Sequence, residues 1–341
     1  MNPTSPALRP DPAIDERELR RQVDEFRELV HAIRAELQKV IVGQEALTSR
    51  LLMGLFLQGH VLLEGPPGLG KTLLLRTLSQ VLNLTFKRVQ FTPDLMPADI
   101  LGTRILRQSG EDVSFEFEPG PVFTNLLMAD EINRASPKTQ SALLEAMQEH
   151  QVTSAGVSHP LPSPFLVLAT QNPIEMEGTY PLPEAQLDRF LARVPLGLPA
   201  AEAELEIYRR AVGGSLAGWN REVALPAPLA GAGEAAALRR ASRLAHVAEE
   251  LLAYLQALAT QVRSSPHVEL GPSPRAGLAL LELSRAGAIL EGRGHVVPDD
   301  LRRYLGPCWG HRVIVRPESE LEGLGVAQVL DQAAAAVPVP R

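Results

Sequence analysis

The sequence predicts an α/β domain of alternating strands and helices, followed by a smaller, mostly helical domain. Five short apolar segments alternate with helical segments, a pattern typical of a parallel sheet covered by helices. The first of them runs into a glycine-rich loop and then a helix. After Glu234 the periodicity is almost purely helical. We therefore expect a three-layer α/β/α core with a mostly parallel, five-stranded sheet and a C-terminal α-helical lid domain.

The glycine-rich loop has the residues and the context of a phosphate-binding loop. Gly65 to Thr72 (GPPGLGKT) fit the pattern G-x-x-x-x-G-K-[ST], between an apolar strand at Val61 to Glu64 and a helix at Leu73 to Leu82. Its glycines allow the backbone to turn N–H groups toward an anion at the positive end of the helix. The alternative is a glycine-rich turn that binds nothing, and the flanking strand and helix argue against it.

The residues of this loop have expected parts in holding ATP. Lys71 reaches the β- and γ-phosphates, and Thr72 offers its hydroxyl to Mg²⁺. Val42 and Gly43, between the two preceding helices, are placed to cover an adenine ring, with a plain interhelical turn as the open alternative. The loop residues expected to contact the nucleotide are Gly65, Pro66, Pro67, Gly68, Leu69, Gly70, Lys71, Thr72 and Leu73.

The composition argues against several other classes of protein. A net charge of -7 and 4% aromatic residues disfavour a globally basic nucleic-acid binder, although a local basic channel stays open. The one cysteine, Cys308, cannot form an intramolecular disulfide, and no CxxC metal pattern is present. The N-terminus lacks the apolar core of a signal peptide, and no apolar run approaches the roughly 18 residues of a membrane helix. We expect a cytoplasmic protein without membrane insertion or a nucleic-acid partner.

Composition and periodicity also divide the chain into four parts. The parts are the N-terminal arm (1–14), the α/β core (15–215), the linker (216–233) and the helical lid (234–341). The arm is rich in proline and polar residues, and we expect it to be disordered. The linker is rich in Gly, Ala and Pro.

Two β-hairpins are predicted as insertions in the core, at about residues 104–117 and 151–163. Such insertions usually carry contacts rather than the stability of the fold. His150 and His159, at the second hairpin, are expected to be exposed. None of the eight histidines has the i, i+4 spacing of a metal-ligand pair beside an acid.

Two acidic residues follow the buried strand predicted at Asn125 to Ala129. Asp130 and Glu131 stand at the carboxyl end of that strand, where an α/β sheet binds its ligands. Asp130 is expected to hold Mg²⁺, and Glu131 to polarise the water that attacks the γ-phosphate. The alternative, an exposed acidic turn, does not account for the lysine and threonine of the glycine-rich loop.

A third apolar strand, Pro164 to Ala169, ends in Thr170-Gln171-Asn172. An isolated asparagine is usually a turn former. At the end of a neighbouring strand, however, an amide is placed to orient the attacking water. We therefore expect Asn172 in the same site.

Arg189 lies in a segment, Leu182 to Leu191, predicted as a helix or helical turn before a short strand at Val194 to Leu196. It is either a surface arginine paired with Asp188 or Glu184, or a catalytic residue. From the edge of the sheet it cannot easily reach its own phosphate loop, but it can reach the nucleotide of a neighbouring subunit. An arginine supplied in trans is worth on the order of 10³ to 10⁵ in rate.

In the predicted lid, Ser273 and Pro274 start a helix as its N-cap and first helical residue. Arg275 projects from the first turn, where a cation opposes the helix dipole. This unfavourable placement points to an anionic partner, either a phosphate or a carboxylate. Pro298 starts another lid helix, and Val297 stands where a capping Ser or Thr is expected, which could loosen that helix.

Taken together, these segments resemble the MoxR family of AAA+ ATPases. The resemblance rests on GPPGLGKT, LLMADEINRA with KTQSALLEAMQEHQVT, LATQNPIEMEGTYPLPEAQLDRF and SPRA, and it runs from about Ile41 to Pro340. It implies that the first hairpin belongs to the helix-2 insert and that the second precedes sensor 1. The site residues it implies are a Walker A loop at Gly65 to Thr72, Walker B acids Asp130 and Glu131, sensor 1 at Asn172, an arginine finger at Arg189 and sensor 2 at Arg275.

The resemblance also implies a function. Similar proteins form hexameric rings, hydrolyse ATP with Mg²⁺ and act as chaperones that remodel or activate client complexes, often with a partner that carries a von Willebrand A-type domain. Three alternatives stay open: a chelatase-type motor subunit for metal insertion, a nucleic-acid translocase and a nucleotide-gated scaffold. The acidic charge weighs against the translocase, and the complete catalytic set weighs against the scaffold.

Overall fold

The computed structural model describes residues 16–66, 68–109, 112–172, 178–213, 226–231, 233, 243 and 245–340. The predicted disordered arm at residues 1–14 and most of the predicted linker at 216–233 therefore lie outside the described residues. So do the predicted start of the lid at residue 234, Pro67 of the glycine-rich loop, and residues 173–177.

The described residues form strands and helices that alternate through the first part of the chain. The strands are β1 (His60–Glu64), β2 (Phe86–Gln90), β3 (Gly102–Ser109), β4 (Asp112–Pro119), β5 (Leu126–Asp130), β6 (Gln151–Ser154), β7 (Val157–Pro160), β8 (Leu166–Gln171), β9 (Phe190–Pro195), β10 (Val268–Leu270) and β11 (Ile314–Val315). The helices are α1 (Glu16–Val40), α2 (Glu45–Leu57), α3 (Lys71–Val81), α4 (Pro97–Leu101), α5 (Pro137–Glu149), α6 (Glu184–Leu187), α7 (Ala201–Val212), α8 (Glu249–Arg263), α9 (Pro274–Leu290), α10 (Pro298–Trp309), α11 (Pro317–Leu321) and α12 (Val326–Ala336). A 3₁₀ turn, Ile132–Arg134, follows β5.

The predicted parallel sheet is confirmed. Five strands lie in the order β2-β5-β8-β1-β9, and every neighbouring pair is parallel. Along β1, Val61 and Leu63 pack in one hydrophobic cluster, whereas Leu62 packs in a second cluster on the other face. Side chains alternate between faces along a strand, so helices must cover both sides of the sheet. Because β5, β8 and β1 are neighbours and run parallel, their carboxyl ends lie side by side at one edge of the sheet.

The edge strand β9 is longer than predicted. The sequence favoured a helical segment up to Leu191 and a strand only from Val194, but α6 is a single turn and β9 begins at Phe190. Phe190 and Ala192 are buried and pair with His60 and Val61 of β1. Burial of alternate residues against the sheet outweighs the local helical pattern.

Both predicted hairpins are present, as β3–β4 and β6–β7. They contact each other, because the rings of Phe117 and His159 stack with centroids 4.1 Å apart. His150 is exposed as predicted. The prediction that His159 is exposed is wrong: the side chain is half-buried, and the stacked phenylalanine explains why.

The lid is helical with one exception that the sequence did not predict. Strands β10 and β11 form a short antiparallel ladder between lid helices. Ser273 caps α9 as predicted, since its hydroxyl oxygen accepts a hydrogen bond from the Ala276 N–H at 3.1 Å. At α10 no hydroxyl cap is present, but Asp300 in the first turn bonds back to Val297. Its Oδ2 accepts from the Val297 N–H at 2.8 Å, and its own N–H donates to the Val297 carbonyl oxygen at 3.0 Å. These bonds hold the end that the sequence predicted to be loosened.

Core and lid share one hydrophobic cluster. It includes Val30 of α1, Leu51 of α2, Leu280 of α9 and Trp309 of α10, and each of these side chains is at most 1% exposed. Cys308 is buried in the same cluster, and burial raises the pKa of its thiol to about 12. The lid therefore packs directly on the two N-terminal helices and on the sheet face that they cover.

No helix among the described residues has both the length and the apolarity needed to span a membrane.

His60, at the start of β1, links three elements of the core. Its Nδ1 accepts a hydrogen bond from the Val167 N–H of β8 at 3.0 Å, and its Nε2 lies 3.0 Å from the carbonyl oxygen of Met147 in α5. The ring is 4% exposed, and burial lowers the pKa of His60 to about 4. A neutral ring with its proton on Nε2 satisfies both partners.

Candidate active site

A cleft of ≈ 360 Å³ opens where the glycine-rich loop meets the carboxyl ends of β5 and β8. The residues that line it come from the loop and the start of α3, from β2, and from the ends of β5 and β8. An open parallel sheet binds ligands at this edge. The predicted site residues that line it are Gly65, Gly68, Leu69, Gly70, Lys71, Thr72, Leu73, Asp130, Glu131 and Asn172.

The loop has the backbone of an anion cradle. Gly68 and Gly70 have φ values of 84° and 74°, a region that side chains disfavour. A Cβ atom at Gly68 would meet no heavy atom within 4 Å, so the space beside the loop is open. Gln44, just before α2, donates from Nε2 to the Leu69 carbonyl oxygen at 2.6 Å and ties the loop to the preceding turn.

Lys71, the first residue of α3, lies at the bottom of this loop. Its Nζ donates a hydrogen bond to the Gly65 carbonyl oxygen at 2.9 Å, and the residue is 8% exposed. Burial lowers the pKa of Lys71, and the charges of Asp130 and Glu131 oppose that shift. A buried cation at a helix N-terminus is electrostatically unfavourable by itself, which favours the binding of an anion beside it.

Asp130, the last residue of β5, is held on both carboxylate oxygens. Thr170 Oγ1 donates to Oδ1 at 2.6 Å, and the guanidinium of Arg88 lies 2.5 Å from Oδ2. Arg88 reaches it from β2, whose residue Gln90 pairs with Asp130. Thr72 Oγ1 lies 3.4 Å from the sulfur of Met128, a weak acceptor. The carboxylate and the hydroxyl are oxygen donors of the kind that Mg²⁺ takes.

Glu131 has a strained backbone. Its φ and ψ are 55° and 50°, in the left-handed region that costs a non-glycine residue about 1–2 kcal/mol. Two hydrogen bonds hold it there: its N–H donates to Thr170 Oγ1, and its carbonyl oxygen accepts from the Arg134 N–H, both at 2.9 Å. The Glu131 carboxylate pairs with Arg134 at 3.2 Å. Strain of this kind is typical of functional positions.

Asn172 follows β8 directly and lines the same cleft. Strand β8 lies between β5 and β1, so its end is flanked by Asp130 on one side and by the glycine-rich loop on the other. The sheet thus brings an amide, two carboxylates and a buried ammonium to one edge, from segments up to about a hundred residues apart.

Five predicted residues do not line this cleft within the described part of the chain: Val42, Gly43, Pro66, Arg189 and Arg275. Arg189 is half-buried and donates from Nη1 to the Leu144 carbonyl oxygen at 2.7 Å. Arg275 is exposed, with Nε 3.9 Å from Asp188 Oδ2. Val42 and Gly43 precede Gln44, whose side chain contacts the glycine-rich loop.

Sequence reasoning missed three residues whose side chains hold the parts of this site in place. Arg88 and Thr170 both bind Asp130, and Gln44 binds the loop. Thr170 had a signal, since it belongs to the same strand end as Asn172. Arg88 could be assigned only once the pairing of β2 with β5 was known. Gln90 pairs with Asp130, and Arg88, two residues earlier on the same strand, projects from the same face as Gln90.

The cleft fits a magnesium-bound nucleoside triphosphate. The glycine cradle and Lys71 suit phosphate oxygens, and the carboxylate of Asp130 with the hydroxyl of Thr72 suits a divalent cation. Glu131 adds a second carboxylate on the same edge. Within the described residues no group of three or more His, Cys, Asp or Glu side chains is arranged to hold a metal, so a cation here would also need oxygens from the threonine and the phosphates.

Two family models match this chain, one over the core and one over the lid. The model of the ATPase family associated with various cellular activities (AAA) matches residues 60–192, which include the loop, both acids, Asn172 and Arg189. The model of the AAA lid domain matches residues 260–333, which include Arg275.

Individual relatives match nearly the whole chain. Chaperone MoxR1 of Mycobacterium tuberculosis is 42% identical over 316 residues, which cover 90% of this chain and 81% of that protein. Protein MoxR of Paracoccus denitrificans is 33% identical, and the match covers 90% of this chain and 95% of that protein. A crystal structure from Cytophaga hutchinsonii, described as that of a candidate ATPase, is 37% identical, covers 95% and 99%, and superimposes with a TM-score of 0.86. The chain therefore belongs to the MoxR family of AAA+ ATPases.

Proposed function

We propose that this protein is a Mg²⁺-dependent ATPase that works as a ring-shaped chaperone. One observation carries the proposal: Lys71, Asp130, Glu131 and Asn172 line one cleft beside an open glycine cradle. A phosphate-binding turn alone does not need a water-activating acid. The presence of both functions in one cleft favours hydrolysis over simple binding.

The loop and Lys71 bind and orient the triphosphate. Backbone N–H groups of Gly68 to Thr72 surround the phosphates, and the ammonium of Lys71 exchanges its bond to the Gly65 carbonyl for phosphate oxygens. Thr72 and Asp130 would hold Mg²⁺, which neutralises phosphate charge when it is bound. Thr170 keeps the Asp130 carboxylate oriented through its bond to Oδ1.

Glu131 and Asn172 act on the attacking water. Glu131 accepts a proton from it as general base, and Asn172 orients it toward the γ-phosphate by hydrogen bonding. Hydrogen bonds with Thr170 and Arg134 fix the backbone of Glu131, and therefore the point from which its side chain extends. The same threonine therefore positions both acids.

Arg189 supports a shared active site. In its own chain it is bound to Leu144 and does not line the cleft among the described residues. An arginine placed in this way suits a neighbour's nucleotide, where it would stabilise the charge of the transferring phosphate. We propose a closed ring of identical subunits, of six by analogy with the family, in which Arg275 acts as sensor 2 on a bound nucleotide.

The chaperone role follows from the relatives. Two of them are named MoxR, one of these as a chaperone. The two hairpins, which contact each other through Phe117 and His159, are the elements we propose to grip a client complex in the cytoplasm. We further propose a partner with a von Willebrand A-type domain.

The catalytic assignment is tested with Glu131→Gln and Lys71→Ala. Glu131→Gln keeps the shape of the side chain but removes the base, so we expect ATP to bind while turnover falls by about 10² to 10⁴. Lys71→Ala removes the phosphate contact and should weaken ATP binding itself. Nucleotide affinity by fluorescence titration and phosphate release measure the two effects separately. Hydrolysis by Glu131→Gln at the rate of the unmodified protein would overturn the assignment.

A further inference from the structure

A buried arginine of the lid binds the segment of the core that carries Arg189. Arg312 follows α10, and its side chain is only 4% exposed. Its Nε donates to Asp188 Oδ1 at 2.6 Å, and its Nη2 donates to the carbonyl oxygens of Asp188 at 3.1 Å and Phe190 at 2.6 Å. The guanidinium therefore grips the backbone on both sides of Arg189.

The neighbouring lid residue binds the same place. His311 Nε2 lies 3.0 Å from the carbonyl oxygen of Phe190, and Arg312 Nη1 lies 3.3 Å from that of Leu191. A guanidinium this deeply buried is tolerated only when its donors are paired, and here Asp188 supplies the countercharge. The segment that carries Arg189 is therefore held from two sides, by the pairing of Phe190 with His60 in the sheet and by these contacts from the lid.

A second lid arginine reaches the other oxygen of the same carboxylate. Arg275, in the first turn of α9, lies 3.9 Å from Asp188 Oδ2 and is 57% exposed. This contact is long and solvated, so it is weak compared with that of Arg312. Asp188 thus contacts the lid at two points, through a short, buried ion pair with Arg312 and a long, solvent-exposed one with Arg275. It also precedes Arg189 directly in the chain.

We propose that Asp188 and Arg312 are positioning residues that couple the lid of one subunit to the arginine it presents to the next. The position of the lid relative to the core is transmitted through Arg312 and Asp188 to Arg189. The inference rests on the proposed function, in which Arg189 acts in trans. Neither Asp188 nor Arg312 touches the reacting atoms.

The test uses mixed rings in which only one kind of subunit can hydrolyse ATP. Unmodified subunits are diluted into an excess of subunits that carry Glu131→Gln, so turnover reports on sites served by a variant neighbour. Three further preparations add Asp188→Asn, Arg189→Ala or Asp300→Asn to the Glu131→Gln subunits. Asp300→Asn is the matched control, because it also removes a buried aspartate–arginine pair, Asp300 with Arg293 at 2.7 Å, but within the lid alone.

Asp188→Asn in the neighbour should lower kcat of the unmodified subunits by about 10- to 100-fold, as small misplacements of catalytic groups do. The KM for ATP should stay within about twofold, because the binding loop of those subunits is intact. Arg189→Ala should lower kcat at least as much, and Asp300→Asn should leave it unchanged. A purely structural role of Asp188 would not act on the neighbour's kcat alone.

Two results would overturn the proposal, and they differ. If Asp188→Asn neighbours support full turnover while Arg189→Ala neighbours do not, the coupling is wrong and the shared site stands. If Arg189→Ala neighbours also support full turnover, the trans arginine itself fails, and the coupling fails with it. Should Asp188→Asn subunits not enter rings by mass measurement, Arg312→Lys replaces them. Lysine keeps the charge but loses the fork that binds the carbonyls, and the same two outcomes apply.

Discussion

At the scale of single residues, the pairing of Arg88 with Asp130 leads to a prediction about the binding of a divalent cation. The guanidinium lies 2.5 Å from the carboxylate oxygen that a metal would share, and it is 48% exposed. A cation at Asp130 must compete with this ion pair. Under the proposed function, we therefore expect Arg88 to raise the Mg²⁺ concentration that the site needs.

Arg88→Met should lower the Mg²⁺ concentration for half-maximal ATPase rate. A half-exposed ion pair is worth about 0.2–1 kcal/mol, and its loss corresponds to a decrease of about 1.5- to 5-fold. Initial rates in a Mg²⁺ titration at saturating ATP measure the change. Arg107→Met is the control, since Arg107 is also half-exposed and paired, with Glu116 at 2.9 Å, but on a hairpin. An unchanged midpoint for Arg88→Met would contradict the competition.

The sequence was sufficient to predict residues whose position follows from strand ends. Lys71, Asp130, Glu131 and Asn172 meet because parallel strands finish at one edge, and the sequence shows where apolar runs finish. Arg88 could not be found in this way. Its contact depends on β2 pairing with β5, which is a long-range choice that no local pattern encodes.

At the scale of elements, strands and helices were predicted well where a strong apolar period exists. The helix after the glycine-rich loop and the hairpins are as expected, but β9 and the β10–β11 ladder were not. In β9 the alternation of Phe190, Ala192 and Val194 is overlaid by the helix-forming residues before it. Tertiary burial decides between two local preferences that are nearly equal.

The link that His60 makes between β1, β8 and α5 predicts a pH dependence of stability. Its pKa is about 4 in the folded protein and 6.5 when exposed, so the unfolded chain binds the proton first as pH falls. Stability from this residue is complete above pH 6.5 and is lost from there down to pH 4. His311, whose pKa burial lowers to about 3, adds a loss of the same sign.

His60→Gln should remove part of this dependence, because the amide can accept from Val167 and donate to Met147 without titrating. We expect the free energy of unfolding to fall between pH 7 and pH 4.5 by about 2 kcal/mol less in the variant than in the unmodified protein. Urea unfolding followed by circular dichroism at both pH values gives the difference. Parallel pH profiles for the two proteins would show that His60 is not buried in its neutral form.

At the scale of the whole molecule, the position of Arg189 predicts that activity depends on assembly. ATPase rate per subunit should rise with protein concentration as a larger assembly appears by mass measurement. Arg189→Ala should assemble at the same concentration yet remain slow, by about 10³-fold or more, because the neighbour's phosphate charge is then uncompensated.

The opposite result is equally clear. A monomer that hydrolyses ATP at a constant specific rate, with Arg189→Ala unchanged, would show a self-contained site. Arg189 would then serve only to anchor its segment to Leu144.

Cys308 makes this chain convenient for labelling. It is the one cysteine of the sequence, it is fully buried in the lid, and a thiol whose pKa is about 12 presents almost no reactive thiolate at neutral pH. A cysteine introduced on a hairpin or on α9 would therefore take a fluorophore without background while the lid stays folded. In the native sequence, the rate at which a thiol reagent modifies Cys308 would measure how often the core of the lid opens.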